Sequence, residues 1–141
     1  MNIQEYKVPD DLLYDKKNYW IKMQGDEAII GLTDYGQSTI GDILYIELEE
    51  AGKAVACRDE LGSIEAGKWV GKIYAPLDGT TKEENKEVLS KPRLVNSDPY
   101  KNGWLMRLKI EDLKETITLM NSEEYKAWMD EQILREQEEN I

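Results

Sequence analysis

The chain has 141 residues, of which 40% are apolar and 33% are charged, and its formal net charge is −11 at pH 7. This composition is typical of one folded domain with a single core, and it excludes a disordered chain. The negative charge argues against nucleic acid and anionic membranes as partners, because both bind basic surfaces. It is compatible with docking to a basic protein surface, and equally with a role in solubility alone.

The sequence lacks the residue types that most enzymes use. It contains no histidine and one cysteine, Cys57, so the usual general base, the commonest metal ligand and any Cys–His pair are absent. It also contains no glycine-rich loop of the P-loop or dinucleotide-binding type. We therefore predict no catalytic residue, no metal site and no independent enzymatic activity.

The sequence also indicates where in the cell the protein is expected. No apolar run approaches the length that crosses a bilayer, and the first residues lack the basic-then-apolar order of a signal peptide. A single cysteine agrees with a reducing compartment. The expected location is the cytoplasm.

The first half of the chain predicts short strands around one helical turn. Residues 1–11 show little pattern and are interpreted as a lead-in. A short helix over 35–40 would be capped by Thr33 or Asp34 and closed by Gly41. The predicted strands are 19–23, 27–31, 43–48 and 54–57, with a turn at 24–26 between the first two.

A lysine at the tip of a predicted hairpin is the most informative feature of the sequence. The apolar runs 61–64 and 70–75 flank a tight segment, 65–69, of sequence Glu-Ala-Gly-Lys-Trp. Lys68 would then be held in solvent on a stiff platform, away from other side chains. Such a position suits a lysine that is covalently modified and carries a group.

The second half of the chain predicts a turn, a loop, a strand and a terminal helix. Gly79 ends the turn 76–79, at the position that a type I turn favours. The segment 80–89 is highly charged, and its end, 88–89, begins a short strand or helix. The remaining elements are an ordered loop over 92–103, a strand over 104–110, a helix over 122–134 with Ser122 as its N-cap, and a charged tail over 135–141.

Apolar periodicity assigns faces to three of these elements. The strand 43–48 places Leu44, Ile46 and Leu48 on one face, and the strand 104–110 does the same for Trp104, Met106 and Leu108. The inner stripe of the terminal helix consists of Tyr125, Trp128, Met129, Gln132 and Ile133. Trp20, Trp104 and Trp128 are interpreted as core residues.

Short strands between regularly spaced turns, with one terminal helix, predict the fold class. We expect a mainly β domain over residues 12–134, built as a small flattened β-sandwich or barrel.

Several segments, in the same order, resemble the glycine cleavage system H protein family. Around the hairpin, Glu65 precedes Lys68 by three residues, and the sequence Ile-Tyr-Ala-Pro follows at 73–76. The most specific match is Leu-Val-Asn-Ser-Asp-Pro-Tyr at 94–100, followed by Gly103 and Trp104. The other matching segments are 14–20, 31–37 and 41–48. The resemblance implies the lipoyl-type fold, a barrel-sandwich hybrid shared with biotinyl carriers.

The resemblance also implies roles for four residues. Lys68 would be the attachment point of lipoic acid, and Glu65 and Gly79 would be recognised by the lipoylating enzyme. Tyr35 would lie near the resting place of the loaded arm. The alternative roles are a solvated surface lysine, a solvated carboxylate, an ordinary turn glycine and a packing aromatic.

The function that the resemblance implies is that of a carrier, not a catalyst. An H protein takes the aminomethyl group of glycine onto a lipoyl-lysine arm and carries it between partner enzymes. The implied partners are glycine decarboxylase, aminomethyltransferase, dihydrolipoyl dehydrogenase and a lipoylating enzyme. The protein would supply the tether, the docking surface and shelter for the loaded arm.

Two departures from the family pattern leave other functions open. Gly67 and Trp69 flank the lysine where the family has valine and alanine, and the segment 48–52 lacks the usual proline. One alternative is an H-like lipoate carrier of another pathway, either heterodisulfide-reductase-like sulfur oxidation or a lipoyl relay. Another is an unlipoylated interaction module. Intact mass separates the module from the carriers, and neighbouring genes separate the two kinds of carrier.

Overall fold

Residues 5–139 of the chain are described in a computed structural model. Their strands are β1 (Leu13–Tyr14), β2 (Tyr19–Gln24), β3 (Glu27–Leu32), β4 (Ile43–Leu48), β5 (Ala54–Val55), β6 (Glu60–Ala66), β7 (Val70–Tyr74), β8 (Gly79–Glu84) and β9 (Met106–Ile110). Their helices are α1 (Asp34–Ile40), α2 (Lys86–Ser90), α3 (Leu94–Ser97) and α4 (Ser122–Glu139), with a 3₁₀ helix at Leu113–Thr118.

The strands form two antiparallel sheets. The larger has the order β1-β2-β3-β9-β8-β5, and the smaller has the order β4-β6-β7. Apolar residues of both sheets share one buried cluster, which we call the main core; it includes Ile21, Ile30, Ile46, Ile64, Ile73 and Leu108. The predicted mainly β sandwich with a C-terminal helix is therefore confirmed.

A second apolar cluster covers the opposite face of the larger sheet. It consists of Leu12, Tyr14, Trp20, Tyr35, Tyr125 and Met129, and we call it the outer core. Successive side chains of a strand face opposite ways, so Ile21 enters the main core while its neighbour Trp20 enters the outer core. Gly31 pairs with Trp20 across the strands, and a Cβ there would lie 2.6 Å from the indole ring. The glycine therefore makes room for the tryptophan.

A chain of buried hydrogen bonds fixes α4 against α1. The Gly36 N–H donates to Thr33 Oγ1 at 2.9 Å, which caps α1. Tyr125 of α4 donates its hydroxyl proton to Asn18 Oδ1 at 2.8 Å. Because the Tyr125 proton is already used, Thr33 Oγ1 is the donor and the Tyr125 hydroxyl oxygen the acceptor in the 2.7 Å hydrogen bond between them. Burial raises the pKa of Tyr125, so its hydroxyl keeps the proton that this series of hydrogen bonds needs.

The predicted face of β4 is wrong at Leu44. Leu44 is 48% exposed, whereas Ile43 is fully buried. The pairing of β4 with β6 shifts register between Ile43 and Tyr45, and such an irregularity moves side chains to the other face. Ile46 and the half-buried Leu48 stay on the side of the main core.

The three tryptophans interpreted as core residues differ in burial. Trp20 is 2% exposed, as predicted. Trp104 and Trp128 are half-buried and pack at the edge of the outer core. β9 begins only at Met106, so Trp104 does not share the face of Met106 and Leu108 as predicted; those two lie in the main core.

The terminal helix differs from the prediction at both ends. Asn121, not Ser122, is the cap: its side chain accepts the Glu124 N–H at 2.9 Å, and the Glu124 carboxylate accepts the Asn121 N–H at 3.0 Å. This reciprocal pair is a capping box. The helix continues to Glu139, so the predicted tail 135–141 is helical over its described part; residues 140–141 lie outside the described residues.

Three other segments differ from their predicted secondary structure. The charged segment 80–89 contains most of β8 and α2, and the predicted loop 92–103 contains α3. The predicted strand 54–57 is reduced to β5. In β8 the charged Lys82 and Glu83 are exposed, while Thr81 is buried and its hydroxyl donates to the Glu50 carbonyl at 2.7 Å. One buried threonine among charges gives too weak an alternation to predict this strand.

Part of the predicted lead-in 1–11 is fixed to the domain. Residues 5–11 have no helix or strand, and residues 1–4 lie outside the described part of the chain. The Lys7 N–H donates to Asp34 Oδ2 at 2.9 Å, and its carbonyl accepts the Tyr100 hydroxyl at 2.6 Å. No helix within residues 5–139 has the length and apolar composition that crossing a bilayer requires.

We expect Tyr125→Phe to lower the free energy of unfolding by about 2 kcal/mol, because it removes the acceptor of the buried Thr33 hydroxyl proton and the donor to the half-buried Asn18 amide oxygen. Urea unfolding monitored by circular dichroism measures the change. Tyr45→Phe is the matched control, since Tyr45 is 65% exposed, and it should change stability by less than about 0.5 kcal/mol. Equal effects of the two substitutions would contradict the role of the buried network.

Candidate functional site

The site is the tip of the hairpin formed by β6 and β7. Glu65 pairs with Val70 across the hairpin, and the Ala66 N–H donates to the Trp69 carbonyl at 2.8 Å. Gly67 and Lys68 therefore form the connecting loop, and Lys68 is exposed at its end. The predicted hairpin with a lysine at its tip is confirmed.

The base of the hairpin is rigid because it is anchored in the main core. Ile64 and Ile73, on opposite strands, are 2% and 0% exposed, and both belong to the main core. Ala66, the last residue of β6, is also buried. Since the backbone on both sides of the loop is held by packing and by strand pairing, Lys68 projects from a fixed position.

Glu65 lies on the outer face of the smaller sheet, in a row of three paired residues. Tyr45 of β4 pairs with Glu65, and Glu65 pairs with Val70. The two flanking side chains are 65% and 76% exposed. Next to Lys68 the surface therefore presents one carboxylate between two apolar groups, an arrangement that a basic partner surface with apolar neighbours can bind.

Gly79 lies in the larger sheet, not at the hairpin. It is the first residue of β8 and pairs with Val55 and Ile110. A Cβ at Gly79 would fall well inside contact distance of the Lys109 carbonyl oxygen. A glycine is required at position 79 because β8 approaches β9 closely there.

Tyr35 is a packing residue of the outer core. It is 4% exposed, and its ring meets that of Tyr6 edge to face at a centroid distance of 5.3 Å. Its hydroxyl donates to Glu136 Oε1 at 2.7 Å, and burial raises its pKa. Tyr35 does not line the cavity next to the hairpin.

A cavity of about 220 Å³ adjoins the hairpin tip, and we call it the hairpin cavity. It is lined by Lys17, Asn18, Tyr19, Leu32, Gly36, Thr39, Ile40, Ile64, Trp69, Lys72 and Tyr74. The indole of Trp69 forms one wall and lies against Gly71, where a Cβ would overlap the ring. Because Trp69 follows Lys68 directly in the chain, the hairpin cavity lies beside the loop that carries the lysine.

A larger cavity of about 570 Å³ adjoins the hairpin cavity and shares Lys17, Tyr19 and Tyr74 with it. Cys57 lies in its wall, with its thiol 3.4 Å from the Pro76 carbonyl oxygen. Burial raises the pKa of the Cys57 thiol. The thiol therefore stays protonated at neutral pH and is a weak nucleophile.

Sequence reasoning pointed to Lys68 and Glu65, which the structure places at and beside the hairpin tip, but it did not indicate the hairpin cavity. Its walls come from β2, β3, α1, β6 and β7 and the segments beside them. No local pattern in any one of these segments indicates a cavity. The one available signal was the aromatic Trp69 two residues before Gly71, and it becomes informative only once the ring is seen against the glycine.

Comparisons with known proteins give one consistent result. The family model described as "Glycine cleavage H-protein" matches residues 12–132. The glycine cleavage system H protein of Halothermothrix orenii is 43% identical over 124 residues, which cover 88% of this chain and 97% of that protein. H protein 4 of Aquifex aeolicus is 36% identical over 139 residues, covering 99% of this chain and 81% of that protein.

A solved structure shares the fold. The crystal structure of a glycine cleavage system H protein from Mycobacterium marinum superposes with a TM-score of 0.75 at 26% sequence identity. The match covers 86% of this chain and 98% of that one.

We expect Gly79→Ala to lower the free energy of unfolding by about 2 kcal/mol or more, because the added methyl group collides with the backbone of β9. The matched control is Gly67→Ala, since nothing lies within 4 Å of a Cβ there. This control should leave stability unchanged or raise it slightly. Thermal unfolding of both variants measures the difference, and a Gly79→Ala variant as stable as the wild type would contradict this explanation.

Proposed function

The chain belongs to the glycine cleavage H-protein family, and we propose that it carries lipoic acid on Lys68 as the lipoyl carrier of the glycine cleavage system. One observation carries the assignment of the residue: Lys68 is exposed at the tip of a hairpin whose two strands are anchored in the main core. The fixed base and free tip are what a carrier needs, because the arm must move while its attachment point stays in register with the docked partner.

The residues around Lys68 fit this cofactor. The Lys68 amine is open to solvent, so an enzyme can join it to the carboxyl group of lipoic acid in an amide bond. The hairpin cavity beside it has the aromatic walls Tyr19, Trp69 and Tyr74, and aromatic rings make favourable contacts with sulfur. When bound, the dithiolane supplies the sulfur chemistry that accepts and releases the transferred aminomethyl group.

The chain itself contributes positioning and recognition. The amide removes the charge of Lys68 and leaves a long flexible tether, which raises the effective concentration of its end at each docked active site. Glu65 lies in the exposed row beside the tip, where it can pair with a basic side chain of the lipoylating enzyme. The chemistry proper belongs to the partners: glycine decarboxylase, aminomethyltransferase and dihydrolipoyl dehydrogenase.

For Gly79 and Tyr35 we propose structural roles only, and not the enzyme recognition and arm contact that the resemblance implies. Contact between β8 and β9 accounts for Gly79, and packing in the outer core accounts for Tyr35. We propose that both act through the fold. The hairpin cavity, and not Tyr35, is the candidate resting place of the arm.

Lys68→Ala and Lys68→Arg should both abolish lipoylation in cells that lipoylate their own proteins. Neither should change thermal stability, because an exposed loop lysine contributes little to folding. Intact mass and peptide mapping of the purified protein measure the modification. Lys82→Ala is the control, since Lys82 is exposed on β8, away from the hairpin. Lipoate on another lysine, or none on the wild type, would disprove the assignment.

Glu65→Gln should slow lipoylation by a purified lipoylating enzyme several-fold, chiefly through a raised KM, because it removes one charge contact with the enzyme. Glu47→Gln is the matched control: Glu47 is exposed and pairs with Ser63, in the next row on the same face of the sheet. Equal kinetics for the two variants would mean that Glu65 is a solvated carboxylate and no more.

A further inference from the structure

Three exposed apolar side chains surround Glu65 on the outer face of the smaller sheet: Leu44, Tyr45 and Val70. Tyr45 and Val70 pair with Glu65 from the two neighbouring strands, β4 and β7. Side chains of directly paired residues lie on the same face of a sheet, about 5 Å apart. We call Leu44, Tyr45, Glu65 and Val70 the tip patch, because it adjoins the loop that carries Lys68.

A β-bulge places two of these apolar side chains opposite the same carboxylate. Ile43 pairs with Ala66 of β6, and the next pair is Tyr45 with Glu65. Leu44 is therefore an extra residue of β4, and in a bulge two residues of one strand oppose one residue of the other. Both Leu44 and Tyr45 are exposed. In a regular strand one of the two would face the main core, so the bulge enlarges the apolar surface beside Glu65.

The Glu65 carboxylate makes no ion pair within residues 5–139. Glu60, on the same strand, lies 3.8 Å from Lys72 Nζ of β7. The apolar groups around Glu65 exclude water once another protein covers them, and an ion pair is stronger where water is excluded. The tip patch therefore fits a protein surface on which a basic side chain stands among apolar ones.

The position of the tip patch decides which partner covers it. A lipoylating enzyme acts on the Lys68 amine itself, so its surface has to come within one lysine side chain of the loop. Tyr45, Glu65 and Val70 span two strand spacings, about 10 Å, at the base of that loop. An enzyme placed over the amine therefore covers them. The partners that act at the end of the lipoyl arm work from a greater distance and need no contact with the tip patch.

The neighbouring Lys72 shows what the tip patch adds. Lys72 is exposed, as Lys68 is, and lies four residues further along the chain. Its row on the same face consists of Ser63 and Glu47, with no large apolar residue. Exposure alone does not separate the two lysines, whereas the apolar neighbours of Glu65 do.

We infer that the lipoylating enzyme recognises the tip patch as one surface, with a basic side chain against Glu65 and apolar side chains against its three neighbours. This inference rests on the proposed function, in which Lys68 is lipoylated. In that reaction the Lys68 amine attacks the carbonyl carbon of lipoyl adenylate. The amide C–N bond forms, the bond to the AMP oxygen breaks, and a proton passes from the amine to the buffer. The tip patch holds the amine in position for this step.

The test measures lipoylation of the full, unmodified chain by a purified lipoate ligase with lipoate and ATP, followed by intact mass. Tyr45→Thr and Val70→Thr remove apolar contacts and keep a residue that favours a strand. We expect each to raise KM roughly three- to tenfold with little change in kcat, because contacts in the docked complex are lost. Tyr45→Phe and Val70→Ile should keep the KM of the wild type. Ile117→Thr is the matched control, since Ile117 is exposed in the 3₁₀ helix, outside both sheets.

A double variant tests whether the apolar groups and the carboxylate act together. If docking excludes water from the ion pair, Glu65→Gln should raise KM by a smaller factor in a Tyr45→Thr background than in the wild type. Thermal unfolding should be the same for all these variants, because the substituted side chains are exposed.

Equal KM values for the wild type, Tyr45→Thr and Val70→Thr would overturn the inference, and so would an equal rise for Ile117→Thr or factors that simply multiply in the double variant. A dimer at assay concentration that Val70→Thr dissociates, seen by light scattering, would also overturn it, because a second copy would then cover the tip patch. Intact mass distinguishes the two failures. A wild type without lipoate on Lys68 disproves the proposed function and this inference together, whereas lipoylated Lys68 with unchanged KM in the threonine variants disproves the inference alone.

Discussion

Burial on both faces of the β2–β3 pair is the constraint on which the rest of the structure depends. Ile21 and Ile30 face the smaller sheet, and Trp20 faces the helices on the other side. Gly31 makes this possible, because any larger residue would meet the indole ring. One pair of strands therefore holds the sandwich together and also supports α4, so that a short chain has two cores without a second domain.

The hairpin uses this support to present an exposed loop on a packed base. Its strands share the main core with β2 and β3, while its loop, Gly67 and Lys68, makes no comparable packing contacts. On this hairpin strand pairing holds the backbone up to Ala66 and again from Val70, so the exposed row around Glu65 keeps a fixed position relative to the loop that carries Lys68.

The parts of the fold predicted from sequence are those that local chemistry determines. The turn at Gly25 and Asp26, the cap at Thr33 and the hairpin around Lys68 each depend on residues close in the chain. The missed features depend on distant partners. The register shift in β4 follows from its pairing with β6, and the extension of α4 to Glu139 brings Glu136 to the hydroxyl of Tyr35. No pattern within α4 could indicate that contact, since the last turns of the helix are highly charged.

Trp69 shows why a departure from a family pattern has to be interpreted together with its surroundings. From sequence, a large aromatic next to Lys68 is a departure from the family pattern that leaves functions other than glycine cleavage open. In the structure Trp69 is 38% exposed and its ring lies against Gly71, where only a glycine leaves space for it. Trp69 and Gly71 therefore act as one unit. The tryptophan adds an aromatic wall to the hairpin cavity, and only its exposed part is open to another protein.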